Sequence, residues 1–436
     1  MSKYKIVIGN IVSPVDDHQA NYFHQGAMLL EQSKNTSGYF IKEIFNLNEL
    51  KQKMAVHKDC ELLDYSGQLI LPSFCDIHFH WVQDDVREMN KDNLLDWLKN
   101  HTWPNEARFI DENYTKDKSL SFSKSLINAG TLTGAVYGSI HAHSVDYARA
   151  NFPGDFIVGN VLMTMNSPGD LLQKQEEAID LVRSLGQKYK DRYAVTPRFA
   201  ITTHPEVMAK TAEIGEQFNS FIQTHLCETK PEIEFVMDIY SKLPGFEKVK
   251  SYTEVYEKCG VLGPKSIFGH GIYLTNDELQ MLKKSSSSIA HCPSSNAPVS
   301  SRGLGSGLFN LDLIQKHRIS WALASDIGAG PYLSMIDVMN SFVSQHQEFG
   351  RKQVNWTMAL YRSTLAGEKI CGEHKNRGSF EVGKQANFVV VRSEKIDSSW
   401  DVERVLKNCL YISSKNRSEV SEKLEAVYWQ GNKLTP

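Results

Sequence analysis

Residues 69–80 read LILPSFCDIHFH, an apolar run that ends in two histidines. The run is rich in strand-compatible residues, and it predicts a strand over Leu69–His80 with His78 and His80 at its end. Alternate side chains of a strand point to the same face, so the two imidazoles should project together. Two convergent imidazoles suit a zinc-class metal ion, which would take its remaining ligands from elsewhere in the chain.

The overall composition is typical of a soluble globular protein. With 436 residues, of which 41% are hydrophobic and 23% charged, the chain can form one large domain and a smaller one. The net charge of -3 gives no electrostatic basis for a nucleic-acid partner. No apolar stretch is long enough to span a bilayer, so no membrane partner is expected. The N-terminal residues MSKYKIVIG favour a first strand over a signal peptide.

The seven cysteines are scattered, odd in number and never arranged as CxxC. This distribution argues against a disulfide framework and against a cysteine-rich zinc module. It fits a reducing compartment, and we therefore predict a cytoplasmic protein.

Strand and helix patterns alternate after the opening stretch. Seven further strands are predicted at Leu132–Gly138, Asp155–Leu162, Tyr193–Ala200, Phe218–Thr224, Ser266–Gly269, Ser287–His291 and Ile319–Ala324. Helical patterns lie between them at Leu94–Lys99, Leu171–Leu185, Pro205–Phe218, Pro231–Leu243 and Asn276–Lys284. Eight strands in this rhythm predict a (β/α)8 TIM barrel over residues 69–373.

The two ends of the chain carry short strand patterns instead. These are residues 4–12, Ala27–Leu30 and Phe40–Ile44, followed near the C-terminus by the run GSFEVGKQANFVVV and by residues 426–433. Two helices are predicted before the C-terminal strands, at Met335–Phe349 and Thr357–Lys369. We expect residues 1–68 and 374–436 to form one small β-sandwich-like domain.

Functional residues are expected where the barrel strands end, since catalytic side chains of this fold lie at that face. Strand 5 ends in THLCE, with His225 and Glu228, strand 6 in GHG, with His270, and strand 8 in SD, with Asp326. Three imidazoles and a carboxylate can hold zinc and leave a position for water. The predicted ligands are His78, His80, His225 and Asp326.

The remaining polar groups at these strand ends suit a hydrolytic reaction. Bound zinc lowers the pKa of its water towards about 7 and supplies hydroxide at neutral pH. Glu228 could deliver a proton to a substrate nitrogen. Asp326 could accept the proton of the water, and His270 could hydrogen-bond the tetrahedral centre.

The motifs HFH, HLCE, GHG and SD together resemble the amidohydrolase superfamily, specifically its mononuclear-zinc deaminase branch. The strand-4 segment VTPRF offers no lysine that could bridge two metal ions. From Leu69 to Lys369 the chain is similar to the guanine deaminases, through the motifs HFHWVQ, LLDWLKNHTWPNEARF, VTPRFA, THLCE, GHGIYLT, AHCPSSNAPVSS and ALASDIGAG. Ser73 and Asn387 stand where that family usually has glycine and aspartate, and residues 201–204 also differ.

This resemblance implies an enzyme with one zinc ion per chain that hydrolyses guanine to xanthine and ammonia. The activated water would attack the amino-bearing ring carbon, with Glu228 as proton shuttle. The resemblance places Gln83, Arg198 and Phe199 at guanine-contacting positions, where an amide, a guanidinium and an aromatic ring can read a purine. It also implies a homodimer.

Two alternatives remain open. The substrate could be another amino-heterocycle, such as 8-oxoguanine, a pterin or an s-triazine, and Gln83 and Arg198 are the residues that would discriminate. The barrel could also be a catalytically inactive scaffold that binds a ligand or partner. A zinc deaminase of the cytidine type is disfavoured, since the HxE…PCxxC signature is missing from the sequence.

Several singled-out residues also have a purely structural interpretation. His141 and His143 form a rival HxH, but only six strands follow it, so we expect pocket-lining or solvated loop residues. His291 could orient a ligand or simply pack. Arg198 could be a structural ion-pair partner, and Cys227 is expected to be structural. Three tryptophans could wall the pocket or belong to the core: Trp81, Trp97 and Trp103.

Overall fold

The computed structural model describes residues 2–57, 59–298, 302–412 and 423–436. Within them the strands are β1 (Tyr4–Pro14), β2 (Ala20–Gln32), β3 (Tyr39–Asn46), β4 (Cys60–Pro72), β5 (Phe74–His80), β6 (Thr131–Tyr137), β7 (Asp155–Gly159), β8 (Val161–Leu162), β9 (Ala194–Pro197), β10 (Phe221–Leu226), β11 (Ser266–His270), β12 (Ser288–His291), β13 (Ser320–Leu323), β14 (Phe388–Val391), β15 (Leu424–Trp429) and β16 (Asn432–Leu434).

The α-helices are α1 (Leu50–Val56), α2 (Leu94–Trp97), α3 (Trp103–Ala107), α4 (Glu112–Ala129), α5 (Ala142–Asn151), α6 (Gln175–Tyr189), α7 (Pro205–Gln217), α8 (Lys230–Ser241), α9 (Tyr252–Lys258), α10 (Asn276–Ser285), α11 (Pro293–Asn296), α12 (Leu311–His317), α13 (Met335–Glu348), α14 (Trp356–Arg362), α15 (Leu365–Ile370) and α16 (Val402–Leu410). Short 3-10 turns include Trp81–Val86, and a π-helical turn spans Leu98–Thr102.

The chain divides into two compact units. The sheet unit comprises Met1–Asp76, Ser123–Thr133 and Ser334–Pro436, and the barrel unit comprises Ile77–Phe122 and Gly134–Leu333. The sequence predicted one domain from residues 1–68 and 374–436 and a second from residues 69–373. These boundaries remain a prediction.

The sheet unit contains one seven-stranded sheet in the order β16-β15-β14-β4-β1-β2-β3. Strands from both ends of the chain therefore share it, as the patterns predicted. β4 lies between β14, with which it is antiparallel, and β1, with which it is parallel. One face buries an apolar cluster that includes Met28, Ile70 and the rings of Phe388 and Tyr428, stacked with 4.3 Å between their centroids.

The opening stretch is two strands, so the prediction of one strand over Leu69–His80 is wrong. β4 ends at Pro72 in the seven-stranded sheet, and β5 begins at Phe74 in a sheet of order β5-β6-β7. The hydrogen bonds change partner at this point: Ser73 N–H donates to the Asn387 carbonyl at 3.2 Å, and Phe74 N–H donates to the Gly130 carbonyl at 3.0 Å. Pro72 can end a ladder because it has no N–H to leave unpaired.

Strands β8 to β13 lie side by side in chain order, and each runs parallel to its neighbour. Strands β5, β6 and β7 also lie side by side in chain order. A parallel bridge between Val158 and Tyr193 links β7 to the start of β9. The barrel closes where Asp326 N–H donates to the His78 carbonyl at 2.9 Å and His80 N–H donates to the Ile327 carbonyl at 2.5 Å. The predicted fold class, a (β/α)8 barrel with a separate sheet from the chain ends, is confirmed.

Some predicted element bounds need correction. Asp155–Leu162 splits into β7 and β8 at Asn160, whose side chain accepts a hydrogen bond from the Tyr193 hydroxyl at 2.6 Å. β10 begins at Phe221 instead of residue 218, because Asn219 adopts a positive φ of 58° in the turn after α7. Leu94–Lys99 is helical only to Trp97 before the π-helical turn, and Thr357–Lys369 is two helices, α14 and α15.

Helix-start signals place α8 directly after the end of β10. Thr229 caps the helix by accepting from Glu232 N–H, and the Glu232 carboxylate accepts in return from Thr229 N–H at 3.1 Å. This capping box satisfies backbone groups that the first turn would leave unpaired. The chain that enters α8 therefore has a defined path immediately after His225 and Glu228. Across the described residues, no helix is both long enough and apolar enough to cross a membrane.

Candidate active site

Four side chains from the ends of barrel strands converge in the barrel unit. Their potential ligand atoms all lie within 4.8 Å of one another. Asp326 Oδ1 lies 3.3 Å from His78 Nε2 and 3.8 Å from His80 Nε2. Three imidazoles and one carboxylate form a donor set suited to a zinc-class ion. The structure thus brings together the residues that the sequence singled out as ligands: His78, His80, His225 and Asp326.

The orientation of His225 fits metal binding. Its Nδ1 lies 2.6 Å from the backbone oxygen of Arg198, which can only accept, so Nδ1 carries the proton. The Nε2 atom therefore presents a lone pair, and it faces His80 Nε2 at 3.1 Å. Tyr256 donates its hydroxyl to the His225 carbonyl at 2.8 Å and holds the strand end in place. A hydrogen-bonded second nitrogen of this kind orients a metal-binding imidazole.

The protonation states of the cluster also match a metal site. Burial lowers the pKa of His78, His80 and His225, which favours the neutral imidazoles that ligate metals. Burial acts to raise the pKa of Asp326, but the hydrogen bond with His78 and the electrostatic interactions with the surrounding imidazoles outweigh it and bring the pKa to about 2. The donors are therefore three neutral nitrogens and a carboxylate.

Three strand-end residues other than glycine adopt the left-handed backbone conformation. Cys227 has a φ of 51°, His270 of 73° and Asp326 of 52°. Such conformations cost about 1–3 kcal/mol each and persist where the surrounding structure imposes them. They turn the chain so that Glu228, His270 and Asp326 face one pocket.

Glu228 lies beside the cluster with its oxygens positioned by neighbours. Its Oε1 accepts from Ser306 Oγ at 2.9 Å and from Asn296 Nδ2 at 3.2 Å. Its Oε2 lies 3.6 Å from His270 Nε2, and its backbone N–H donates to Glu232 at 2.8 Å. Burial, together with the charge of Asp326, raises the pKa of Glu228 to about 8. This carboxyl group can therefore hold a proton at neutral pH.

His270 is oriented by the same asparagine. Asn296 Nδ2 donates to His270 Nδ1 at 3.1 Å, which leaves the ring proton on Nε2. That nitrogen lies 3.9 Å from Asp326 Oδ2. His270 also belongs, with Cys292 and Asp326, to a second group of potential ligand atoms within 4.8 Å.

The first glycine of the GHG motif, Gly269, leaves space that a side chain would occupy. A Cβ atom on Gly269 would lie 2.5 Å from His78 Cε1 and 3.0 Å from its Nδ1. A Cβ atom essentially never comes as close as 2.5 Å to a non-bonded atom, so any side chain here would displace the His78 ring. Gly269 therefore lets β11 approach this imidazole closely.

A pocket adjoins the cluster, and His80, His225 and Asp326 form part of its lining. Gln83, Arg198 and Phe199, the expected purine contacts, line it together with Trp97 and Leu98.

Glu106 joins two of these expected contacts. Its carboxylate accepts from Arg198 Nη1 at 2.8 Å and 2.6 Å, and its Oε1 also accepts from Gln83 Nε2 at 2.7 Å. Arg198 is therefore both an ion-pair partner and part of the pocket wall.

Comparison with known proteins agrees with this geometry. The model of the amidohydrolase family matches residues 69–420. A guanine deaminase of Escherichia coli K12 is 36% identical over 336 residues, covering 75% of this chain and 74% of that protein. The chain belongs to the amidohydrolase family.

Solved structures extend the likeness of this amidohydrolase to almost its whole length. The E. coli guanine deaminase structure has a TM-score of 0.86 and 29% identity, covering 99% of both chains. That of the C. acetobutylicum guanine deaminase, with bound guanine in its active site, has a TM-score of 0.85 and 25% identity, covering 99% of this chain and 100% of that one. The predicted resemblance to the guanine deaminases is confirmed.

Sequence reasoning missed several polar residues of this amidohydrolase site. Glu106, Asn296 and Ser306 contact Gln83, His270 or Glu228. Glu106 lies in the motif LLDWLKNHTWPNEARF and Asn296 in AHCPSSNAPVSS, but neither motif indicates which of its polar residues orients the site. Glu232 could have been found, because Thr229-x-x-Glu232 after a strand is the signature of a capping box. The partners of the other three residues lie far away in the chain.

The remaining candidates lie outside the amidohydrolase metal cluster. His141 and His143 stack on each other with 5.3 Å between centroids, and His143 Nε2 bonds the Phe109 carbonyl at 2.6 Å. His291 stacks on Phe309 at 4.2 Å, which supports a packing role. The three tryptophans have different surroundings. Trp97 lines the pocket, and Trp81 packs among Phe109, Phe122 and Phe152. Trp103 packs against the apolar cluster that includes Tyr137 and Met163.

Proposed function

We propose that this protein is a zinc-dependent guanine deaminase, which hydrolyses guanine to xanthine and ammonia. The observation that carries the proposal is the cluster of three histidines and Asp326 beside a pocket lined by Gln83, Arg198 and Phe199. The guanine deaminases among its relatives support the choice of substrate.

The proposed metal ligands are His78, His80, His225 and Asp326. Their nitrogen-rich donor set favours zinc over the oxygen-seeking cations magnesium and calcium. When bound, a zinc ion would lower the pKa of a water molecule beside it towards about 7 and so provide a nucleophile at neutral pH.

Glu228 is the proposed proton shuttle. Hydrolysis needs one water proton on a ring nitrogen, while the water oxygen bonds to the amino-bearing carbon. A carboxyl group with a pKa of about 8 can hold and release this proton near neutral pH. Ser306 and Asn296 hold Oε1 by hydrogen bonds, so Oε2 is the oxygen that faces His270.

Asp326 would carry out the second proton transfer, and His270 would stabilise the tetrahedral centre. Asp326 accepts the second water proton and passes it to the amino group, which leaves as ammonia as the carbon–oxygen double bond forms. His270 carries its proton on Nε2, so it can donate a hydrogen bond to the oxygen of the tetrahedral centre.

Gln83, Arg198 and Phe199 are the proposed substrate contacts. The amide and the guanidinium can bond the carbonyl and ring nitrogens of guanine, and the Phe199 ring can pack on its face. We further propose that the protein is a cytoplasmic homodimer. This rests on the family resemblance and on the cysteine distribution, and light scattering of the purified protein tests the dimer.

The test is ammonia release from guanine by the purified, zinc-loaded protein, with Glu228→Gln and a matched surface variant, Glu216→Gln. We expect xanthine as product, parent-level activity in Glu216→Gln, and a loss of about 10²–10⁴-fold in Glu228→Gln with unchanged zinc content. Much faster deamination of a pterin, 8-oxoguanine or an s-triazine would refute the substrate. No bound zinc and no activity after zinc addition would point instead to a non-catalytic scaffold.

A further inference from the structure

Glu106 lies behind the pocket wall. Its side chain is fully buried, whereas Gln83 and Arg198, which it contacts, both line the pocket. Its three hydrogen bonds go to these two residues. Glu106 is therefore placed to act on a ligand through its neighbours and not by direct contact.

The contacts of Gln83 determine which way its amide group points. A carboxylate only accepts, so the atom that lies 2.7 Å from Glu106 Oε1 is the amide nitrogen. The amide oxygen accepts from Gly328 N–H at 3.3 Å, and a backbone N–H only donates. Both contacts favour the same orientation, in which the second amide hydrogen and one lone pair of the oxygen remain to bond a ligand.

Arg198 is subject to the same constraint. A guanidinium has donors and no acceptor, and the Glu106 carboxylate balances its buried charge. Arg198 therefore offers only donors to a ligand, and Gln83 offers an N–H donor whose position is fixed. The ion pair alone would be weak evidence for a stabilising role, because charges are costly to bury.

The segment that carries Glu106 is also anchored to the segment that carries Gln83. Asn105 Nδ2 donates to the Val82 carbonyl at 2.6 Å. Adjacent residues of α3 thus hold adjacent residues of the 3-10 turn Trp81–Val86. Both the backbone and the side chain of Gln83 are fixed from the same helix.

We propose that Glu106 is a positioning residue that sets substrate specificity by holding the donors of Gln83 and Arg198 in place for a carbonyl oxygen of the substrate. A surface of this kind favours heterocycles that present a carbonyl oxygen to it. It rejects analogues with an amino group there, since two donors would face each other unpaired. This inference rests on the proposed guanine deamination.

The test compares guanine with 2,6-diaminopurine, in which an amino group replaces the carbonyl oxygen, the neighbouring ring nitrogen loses its proton and the 2-amino group remains. In Glu106→Gln the amide nitrogen at residue 106 faces a donor of Gln83 or of Arg198, so one of these two side chains loses its fixed position. We expect the parent's preference for guanine, as a ratio of kcat/KM values, to fall at least tenfold. The KM for guanine should rise more than kcat falls, and zinc content should not change.

Glu216→Gln on the exposed face of α7 is the matched control and should keep the parent's preference. A preference in Glu106→Gln within twofold of the parent's would overturn the inference. If Glu106→Gln does not fold, Glu106→Asp is measured in its place, since it keeps the charge but shortens the reach to Gln83. A threefold fall in preference then supports the inference, and the parent's value overturns it. A parent protein inactive on guanine would instead refute the proposed function itself.

Discussion

His225 Nδ1 lies 2.6 Å from the backbone oxygen of Arg198, which joins a proposed metal ligand to a proposed substrate residue. β9 and β10 are adjacent parallel strands, and this contact lies where both end. The carbonyl selects the tautomer of His225 that presents Nε2 to the cluster, while the side chain of Arg198 points to Glu106. One residue therefore serves the metal site through its backbone and the pocket through its side chain.

Replacing His225 by alanine should abolish stable zinc binding, because one of four donors is lost. We expect zinc content below roughly a tenth of the parent's, and loss of the stabilisation that a bound metal adds to the folded state. Elemental analysis and thermal melting measure both. His317→Ala, which removes an imidazole bonded to Asn276 at the surface, is the control. Full zinc occupancy in His225→Ala would contradict the proposed ligand set.

Gly269→Ala should weaken metal binding even though residue 269 is not a ligand. The added methyl group would lie 2.5 Å from His78 Cε1, so the ring must move. Overpacking of this kind costs about 1–3 kcal/mol. We expect a lower melting temperature and at least a tenfold weaker zinc affinity in a chelator competition. Gly169→Ala, where a Cβ has open space, should change neither. Parent-like zinc affinity in Gly269→Ala would contradict the close approach.

The raised pKa of Glu228 predicts how stability depends on pH. With a pKa of about 8 in the folded state and a usual value of 4.5, the folded protein holds the extra proton between these values. The contribution of Glu228 to stability therefore falls as the pH rises from about 4.5 to about 8 and then levels off. Glu228→Gln lacks this dependence.

Denaturant unfolding of the metal-free proteins at pH 5 and pH 8.5 measures the difference. Relative to the parent, Glu228→Gln should gain about 4 kcal/mol between the two pH values. A constant difference between variant and parent would show that the carboxyl group is not held protonated.

Arg198→Ala should impair substrate binding and leave zinc in place. We expect the KM for guanine to rise at least about tenfold, since a charged donor is worth about 1.5–3 kcal/mol. Steady-state kinetics with elemental analysis test this, and Arg183→Ala on the exposed face of α6 serves as control. An unchanged KM would leave Arg198 with a structural role only.

The same pair makes a prediction about stability. Arg198→Ala leaves the Glu106 carboxylate buried without its charge partner, which costs about 3–5 kcal/mol. Adding Glu106→Ala removes that charge, so the double variant should be no less stable than Arg198→Ala alone. Chemical denaturation measures the free energy of unfolding of both variants. A double variant that is clearly less stable than Arg198→Ala would exclude the pairing.

Sequence by itself determined the barrel, its order of strands and the residues at the strand ends. The reason is periodicity: apolar runs and helix signals recur locally, and polar motifs such as THLCE and GHG follow the runs directly. Ends of parallel strands meet at one face, so residues distant in the chain could be placed together without coordinates.

Only the tertiary structure decided where the opening stretch breaks and which buried polar groups orient the site. Leu69–His80 has one continuous apolar pattern, and the change of sheet at Ser73 depends on partners at Gly130 and Asn387. Glu106 and Asn296 likewise act through hydrogen bonds to residues 23 to 92 positions away. Hydrogen bonds over such separations leave no periodic trace in a sequence, because their geometry exists only once the chain has folded.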